Sequence, residues 1–460
     1  MKNIKMTDKT IKLNLANTYI NEDVIIEAPD GAGTGGGSEG QPGDGYKVRY
    51  LDADGTVLKT EYVEEGGKLT PPSNPTYDSE YLEFDTWNYD IDNYVVERNT
   101  DVGATYRTKT GDSYFFIRLT ENIGLEIPTL QISGATSIDW GDGTVDSNLT
   151  HTYADYGDYV IKISGMTSIT NYLFGDTTSV YTYCLQKCYL GNSVTFISHV
   201  VFSKCRSLKN VSISYSVTSI GSSAFNDCNS LTGIVIPNSA IYIYDSTFKY
   251  CYSLINVSIP ENITTIGSGA FHSCYSLTSI AIPNGVRSIQ SYAFYYCYSL
   301  TSINIPNSVA SIGDSAFYYC YSLTSINIPN NVARIDNSTF KYCYSLASIS
   351  IPNSVTEIYS NAFAACYSLA SITIPNSVKK IELFTFNNCT SLTNYILNCN
   401  SVPTLSNTNA FDSINKSAII WVKDELVEDY KSATNWSTYA TYIKPISSMP
   451  EKLKQELGVL

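Results

Sequence analysis

Apolar positions along this chain recur every 23 residues between positions 205 and 389, and each period carries one cysteine. Within one period, Leu277, Ile280 and Ile282 alternate with small or polar residues, which predicts a short strand with these three side chains inward. Pro283 and Asn284 then predict a turn. Units that repeat in this way are predicted to stack into a solenoid with one continuous core. The cysteines are Cys205, Cys228, Cys251, Cys274, Cys297, Cys320, Cys343, Cys366 and Cys389.

The second half of each period is patterned as well. Val286 and Ile289 are predicted to return to the core, and Ala293 and Phe294 to pack before the next cysteine. Eight full periods, stacked about 4.8 Å apart, would form a body roughly 40 Å long.

The repeated sequence itself carries a family resemblance. It approximates C-Y-S-L-T-S-I-x-I-P-N-S-V-x-x-I-x-x-x-A-F-x-x-C, and the core A-F-x-x-C-x-S-L-x-x-I-x-I-P returns many times. This core resembles the BspA-like leucine-rich repeats of bacterial and gut-associated surface proteins. The resemblance implies a mainly β, leucine-rich-repeat solenoid over residues 166–394, with residues 166–204 as degenerate first repeats. It implies function only as far as surface recognition, because one solenoid fold serves many roles.

Two short segments open the chain. Residues 1–29 contain alternating Ile11, Leu13 and Leu15 and a second apolar run at 24–26, which predicts two short strands that serve as an attachment segment. Residues 30–45 are rich in glycine and have no apolar anchor, which predicts a linker.

Residues 46–110 begin with a predicted hairpin. The order Y-x-V-x-Y, D-x-D-G, P-x-x-P and F-x-x-W resembles the small β-grasp module of internalin B-type repeats. That resemblance implies a module that acts mostly as a spacer.

Residues 111–165 carry I-D-W-G-D-G, H-T-Y and G-D-Y-x-I-x-I, which resemble a PKD-like β-sandwich. In such a domain W-G-D-G forms a tight structural corner. Asp139, Asp142 and Asp146 are a weak calcium candidate, and a purely structural corner is the favoured interpretation.

Residues 395–460 resemble the segment that closes many BspA-like arrays. The resemblance implies a C-terminal cap with a last strand and a helix laid over the end, and residues 449–459 are predicted to form a final short helix with Pro450 in its first turn.

The distribution of charged residues along the chain restricts the classes of molecule that the protein could bind. Residues 1–165 contain 28 acidic and 13 basic side chains, which leaves 15 and 16 for the remainder of a chain with net charge −14. The predicted solenoid is therefore nearly neutral. Nucleic-acid binding needs a basic surface, so we expect no nucleic-acid partner.

The cysteines have three possible roles. Cysteines of neighbouring coils would lie about 5 Å apart, which is near the distance of a disulfide. However, the nine repeat cysteines cannot all pair, because nine is odd, and all of them share one inward position. Free cysteine is among the most buried residue types, so reduced core thiols are the favoured interpretation. Zinc is disfavoured because C-x-x-C pairs are absent from the period.

Catalytic chemistry has little support. His151, His199 and His272 lie in separate segments, and carboxylates do not recur in register. Neither a nucleophile–histidine pair nor paired acids are indicated. We expect no enzymatic activity and no cofactor.

Tyrosine is frequent directly before and after the repeat cysteines. Asparagine and serine alternate with apolar residues on the predicted strands. Stacked coils would align the rings, either as a structural ladder or as a surface for sugars or proteins. The residues after the cysteines favour structure, and those before them favour binding. For the strand face, glycan binding and plain solubility are equally favoured. The candidate binding residues are Tyr252, Tyr275, Tyr295, Tyr296, Tyr298, Tyr318, Tyr319, Tyr321, Tyr342, Tyr344, Tyr367, Asn304 and Asn327.

Location is predicted from what the chain lacks. The first residues contain no apolar signal-peptide core, and 18 successive apolar residues occur nowhere, so membrane insertion is not expected. We therefore expect a bacteriophage virion protein, such as a fibre, tail or head-decoration protein, that folds in the host cytoplasm. Residues 1–29 would contact another virion protein, the solenoid would bind a bacterial surface protein or glycan, and the chain could form a homo-oligomer. The alternatives are a secreted or cell-surface bacterial adhesin and a purely structural decoration protein.

Overall fold

The computed structural model describes residues 10–13, 24–27, 45–173 and 183–458, and the chain divides into two units between Gly45 and Tyr46. In the first unit, Thr10–Leu13 pairs antiparallel with Val24–Glu27. These are the two short strands that the alternating pattern predicts. The predicted turn between them, the start of the chain and the glycine-rich linker up to residue 44 lie outside the described residues.

The second unit is built on a solenoid of about 11 turns, which confirms the predicted fold class. Each coil contributes one strand to a row of parallel strands, here called the strand face, which hydrogen bonding divides into four sheets, and a two-residue strand to a second ladder. Leu277, Ile280 and Ile282 are buried as predicted, and so are Val286 and Phe294. The strand face contains Leu185–Tyr189, Asn210–Ser212, Gly233–Val235, Asn256–Ser258, Ser279–Ala281, Ser302–Asn304, Ser325–Asn327, Ser348–Ser350, Ser371–Ile374, Asn394–Leu397, Ile419–Val422 and Ile443–Pro445.

The second ladder lies where each coil turns back behind the strand face. Its paired members are parallel, through residues 28 positions apart for Ser168 and Phe196 and 23 or 24 positions apart in the later coils, as for Ser288 and Ser311. The ladder contains Ser168–Ile169, Phe196–Ile197, Ser219–Ile220, Tyr242–Ile243, Thr265–Ile266, Ser288–Ile289, Ser311–Ile312, Arg334–Ile335, Glu357–Ile358, Lys380–Ile381 and Thr404–Leu405.

The third side of each coil is a turn that contains the A-F-x-x-C motif. Its backbone groups bond between coils: Phe294 N donates to Ala316 O at 2.8 Å, and Tyr296 N donates to Tyr318 O at 2.9 Å. The phenylalanines stack at centroid distances of 5.1–5.7 Å from Phe202 to Phe411. Hydrogen bonds and stacked rings therefore hold this side without regular strands.

Residues 113–164 close the N-terminal end of the solenoid. Ser113–Leu119 pairs antiparallel with Gly157–Ser164 on one side and with Leu185–Tyr189 on the other, so its sheet continues into the strand face. The buried cluster that contains Trp140 and Ile163 runs on through the solenoid without interruption. The other strands of this part are Glu126–Ile127, Ile132–Ser133, Ser137–Asp139, Val145–Asp146 and His151–Thr152.

Residues 46–108 form a four-stranded module that docks on the strand face. Its order is Val57–Val63, Tyr46–Leu51, Thr100–Thr108 and Leu82–Trp87, with the central pair parallel. Tyr50, Val102 and Tyr106 fill its own small core. The module is packed against the solenoid, and its role as a spacer stays a prediction.

The C-terminal end is closed by Ile419–Val422, Ile443–Pro445 and two helices, α1 (Val427–Ser432) and α2 (Glu451–Leu457). The helix α2 begins one residue after Pro450, inside the predicted range. Met449 packs against Ile396 and Trp421, which covers the last part of the strand face. Among the described residues, no helix has the length and apolar character needed to cross a membrane. Short 3-10 helices lie at Asp424–Leu426, Trp436–Tyr442 and Ile446–Ser448.

Candidate binding surfaces of the solenoid

The repeat cysteines lie inside the turn, where burial and hydrogen bonding account for them. All are buried free thiols, and Cys297 Sγ donates to Phe271 O of the preceding coil at 3.2 Å. Burial raises the pKa of Cys205 and of Cys389 to about 12. A neutral thiol is a poor nucleophile and a poor metal ligand, so the cysteine ladder serves packing.

The tyrosines that follow the cysteines form one continuous stack over six coils. Neighbouring rings lie 4.6–4.9 Å apart and within 21° of parallel. Tyr298 in the middle is 8% exposed, whereas Tyr367 at the end is 37% exposed. This post-cysteine row therefore covers the core along most of its length. Its members are Tyr252, Tyr275, Tyr298, Tyr321, Tyr344 and Tyr367.

The positions before the cysteines form two shorter rows beside it. Tyr296, Tyr319 and Tyr342 stack at 4.9 and 4.4 Å. Tyr295 and Tyr318 stack at 4.7 Å, and each ring also meets its chain neighbour edge-on, at 4.3 and 4.5 Å. We call Tyr295, Tyr296, Tyr318, Tyr319 and Tyr342 the tyrosine block.

The ring faces between neighbouring coils of the block are covered, because they stack on one another. A sugar ring cannot lie on these stacked faces, so the edges and hydroxyls of the stacked pairs are what they offer to a ligand. Burial, and then the hydrogen bond with Tyr296, raises the pKa of Tyr295 above its usual range. Burial likewise raises the pKa of Tyr318 and Tyr319. These three phenols are therefore neutral hydrogen-bonding groups at physiological pH.

The backbone of the block has an unusual conformation for its side chains. Tyr296, Tyr319 and Tyr342 have φ angles of 61–63°, in the left-handed region. The same position is filled by Asp227 and Asn388 in other coils, and these residue types tolerate that region better. The left-handed turn belongs to every coil, but tyrosine at this position belongs to only a few.

The strand face is open only in its middle part. Asn304 and Asn327, both predicted binding residues, are exposed there together with Ser325, Ser348 and Ser350. A shallow depression of about 380 Å³ lies over the strands Ser325–Asn327 and Ser348–Ser350. The structure therefore separates the candidate asparagines from the tyrosines: they lie on the strand face, and the tyrosines lie along the turn.

The N-terminal part of the strand face is covered by the docked module. Asn256 Nδ2 donates to Gly55 O at 2.9 Å, and Ser258 Oγ donates to Asp101 O. Asn88 is fully buried and donates to Ser258 Oγ at 2.8 Å. Asparagine and serine alternate on these strands too, at Asn210, Ser212, Asn256 and Ser258, but Ser212 and Ser258 are buried.

One sequence signal marks this covered region. Neighbouring coils carry serine or asparagine at the first strand position, whereas Gly233 stands in this coil. A Cβ at residue 233 would lie 2.2 Å from Asp54 O of the module. Gly233 is therefore explained by the close approach of the module, a contact that the repeat pattern alone does not reveal.

The calcium candidates are held by separate hydrogen bonds. Asp139 accepts from Gly141 N at 3.0 Å, Asp142 contacts His151 Nε2 at 2.7 Å, and Asp146 accepts from Trp140 Nε1 at 3.2 Å. In residues 45–173 and 183–458, no group of three or more histidine, cysteine or acidic side chains is placed to hold a metal ion. The three carboxylates stabilise the turns around Trp140.

Comparison with known proteins identifies the array. The sequence profile described as BspA type leucine rich repeat region matches six copies, over residues 167–300 and 287–417. The chain belongs to the BspA-type leucine-rich repeat family. No curated protein matches the chain significantly.

Several solved structures are similar to this BspA-type chain. A leucine rich cell surface protein from Faecalibacterium prausnitzii A2-165 is 28% identical over 51% of this chain and 84% of its own, with a TM-score of 0.29. A leucine-rich repeat protein from Bacteroides ovatus is 22% identical over 80% and 98%, with a TM-score of 0.39. The T. pallidum leucine rich repeat protein is 30% identical over 36% and 73%, with a TM-score of 0.31.

Proposed function

We propose that this BspA-type protein is a non-enzymatic surface-recognition protein that binds its partner on the tyrosine block. The observation that carries the proposal is the confinement of the block to three coils, although the turn is the same in every coil. Tyrosine gives a large and rigid contact surface at a low cost in conformational entropy. The phenylalanine and cysteine rows, which hold the coils together, run along the whole array, whereas the block does not.

The proposed partner is a bacterial surface protein or a glycan. Phenol hydroxyls that both donate and accept hydrogen bonds suit the hydroxyls of a sugar chain and the polar rim of a protein. The open asparagines of the strand face, Asn304 and Asn327, are proposed as a second and separate contact.

We propose a bacteriophage particle as the location, with residues 1–29 as the segment that attaches the chain to another virion protein. The paired strands Thr10–Leu13 and Val24–Glu27 form a unit of their own, which supports an independent role for this segment. A bacterial cell-surface or secreted adhesin is the alternative, and membership of the BspA-type family favours it equally. Mass spectrometry of purified particles decides between them: peptides of this chain are expected there, and their absence would overturn the virion location.

Recognition is tested by retention of the full chain on whole bacterial cells and on immobilised mucin. The variant Tyr295→Phe/Tyr318→Phe/Tyr342→Phe keeps every ring stack and removes three hydroxyls. Since a hydrogen bond contributes about 0.5–1.5 kcal/mol, the three losses should weaken binding by roughly tenfold or more.

The matched control is Tyr242→Phe/Tyr244→Phe, at two tyrosines in and directly after the second-ladder strand Tyr242–Ile243 that are each 40% exposed. This control should bind as the wild type does. The proposed function is overturned if the wild-type chain is retained on neither surface, or if both variants lose the same amount of binding.

A further inference from the structure

One row of side chains along the turn changes from basic to aromatic and back to basic. In the position two before the cysteine, successive coils carry Lys249, His272, Tyr295, Tyr318 and Lys341. The His272 and Tyr295 rings stack at 4.8 Å, and the Tyr295 and Tyr318 rings at 4.7 Å. We call these five residues the mixed row. Its two lysines are four coils apart, a span of roughly 19 Å.

The two lysines of the mixed row have no acidic partner. In the part of the chain that the structure describes, neither ammonium group forms an ion pair, whereas Arg334 and Lys380 on the second ladder of the same solenoid pair with Asp336 and Glu382. Lys341 Nζ donates to the neutral Asn361 Oδ1 at 3.0 Å. Both lysines are partly buried, and burial lowers the pKa of Lys341. An anion at this position would compensate for lost hydration.

The lysines also lie against the tyrosines, which fixes their position. Lys249 Nζ is 4.9 Å from the centre of the Tyr250 ring, and Lys341 Nζ is 5.3 Å from that of Tyr342. Such contacts hold an ammonium group at an aromatic surface without neutralising its charge. The two cations are therefore fixed groups at the two ends of the row.

The middle of the mixed row is neutral. Burial, and then the charge of Lys249, lowers the pKa of His272 to about 4, so its imidazole is uncharged near pH 7. The Tyr295 and Tyr318 phenols are neutral as well. A ligand that fits the row has negative charge at sites about 19 Å apart and hydrogen-bonding groups between them.

We propose that the mixed row binds an extended, carboxylate-bearing polysaccharide, such as a polymer of uronic or sialic acid. One carboxylate would lie on Lys249 and another on Lys341, and sugar hydroxyls would bond to the phenols between them. This inference rests on the proposed function and names the class of its ligand.

Other polyanions fit the row less well. Single-stranded nucleic acid needs exposed ring faces for base stacking, whereas both faces of Tyr295 and one face of Tyr318 are stacked on neighbouring rings. Planar, bidentate recognition of phosphate favours arginine, and the row contains none. An acidic peptide would place apolar side chains against a surface of hydroxyl edges.

The test measures binding of the full chain to polygalacturonate, hyaluronan and polysialic acid, each beside its methyl-esterified form. Esterification removes the charge and keeps the backbone of the polymer. We expect binding to at least one acidic polymer, a loss of tenfold or more on esterification, and a further weakening as salt is added.

Variants locate the contact on the row. Lys249→Gln and Lys341→Gln should each weaken binding about tenfold, because each removes a bond to a charged group. The control Lys379→Gln changes an exposed lysine one residue before the second-ladder strand Lys380–Ile381 and should leave binding unchanged.

Three outcomes would overturn the inference: equal binding to acidic and esterified polymers, binding to none of the three, or an equal loss in all three lysine variants. The proposed function is judged separately, by retention on cells or mucin and its dependence on the tyrosine hydroxyls. If that retention holds while the acidic polymers fail, recognition stands and only the ligand class is wrong.

Discussion

The inner and outer sides of the same turn follow different rules. On the inner side, a buried phenylalanine and a buried cysteine return in every coil from 225 to 389, and both contact the neighbouring coils. On the outer side, the residues between them change from Lys249 to Tyr295 to Ala364. What every coil retains is needed for stacking, and what only a few coils carry is not.

Backbone strain does not separate the left-handed tyrosines from the residues of other coils. The left-handed conformation costs an ordinary residue roughly 1–2 kcal/mol, and Ser273 and Ala365 adopt it at the same position of their own coils. A stacked ring pair adds about 0.5–1.5 kcal/mol, which those coils lack. The coils therefore stack with or without tyrosine at this position.

The largest expected effect is a loss of folding stability at alkaline pH, caused by the buried thiols on the inner side of the turn. Burial holds the repeat thiols protonated, with the pKa of Cys205 and Cys389 raised to about 12 from an ordinary value near 9. Above pH 9 the unfolded chain loses these protons and the folded chain retains them, so stability is fully present below pH 9 and falls as pH rises toward 12. Each buried thiol should contribute about 1.4 kcal/mol per pH unit to that fall.

Denaturant unfolding between pH 8 and pH 11 measures this slope. The variant Cys297→Ala, compared with the wild type at each pH, should lower the slope by one thiol's share. A stability that stayed constant from pH 9 to pH 11 would contradict the account of the inner ladder.

A smaller effect is expected where the module meets the strand face. Gly233→Ser restores the residue type of neighbouring coils but places a Cβ against Asp54 O. The module must move away or strain the contact, which should cost about 1–3 kcal/mol. Hydrogen exchange should show faster exchange in residues 46–108 while the coils beyond residue 290 are unchanged.

The control for this change lies on the open part of the same face. Ser348→Ala alters an exposed serine that touches no module, and exchange in residues 46–108 should not respond. Unchanged exchange in Gly233→Ser would show that the module does not depend on this close approach.

The period of the sequence was sufficient to predict the solenoid, because the same type of apolar side chain returns at each inward position. It predicted Leu277 and Phe294 in the core and placed the tyrosines along one side. It could not predict the docking of the module, since the contact of Arg49 with Asn256 joins residues 207 positions apart. Within the repeat sequence, only Gly233 indicated that contact.

Sequence also left the orientation of the rings open. A row of aligned tyrosines is compatible with exposed ring faces or with exposed ring edges. Only the stacking distances in the structure show that the faces between neighbouring coils are covered. The unpaired state of Lys249 and Lys341 likewise depends on which carboxylates the coils bring near. Residue spacing along the chain does not contain that information.

The most direct measurement compares Phe317→Leu with Tyr318→Phe, two adjacent residues on opposite sides of one turn. Phe317 is fully buried, so Phe317→Leu should lower the melting temperature and leave retention on cells or mucin unchanged for the folded protein. Tyr318→Phe should leave the melting temperature unchanged and weaken retention several-fold. A Tyr318→Phe variant that melts lower and binds as well as the wild type would contradict the separation of the two sides.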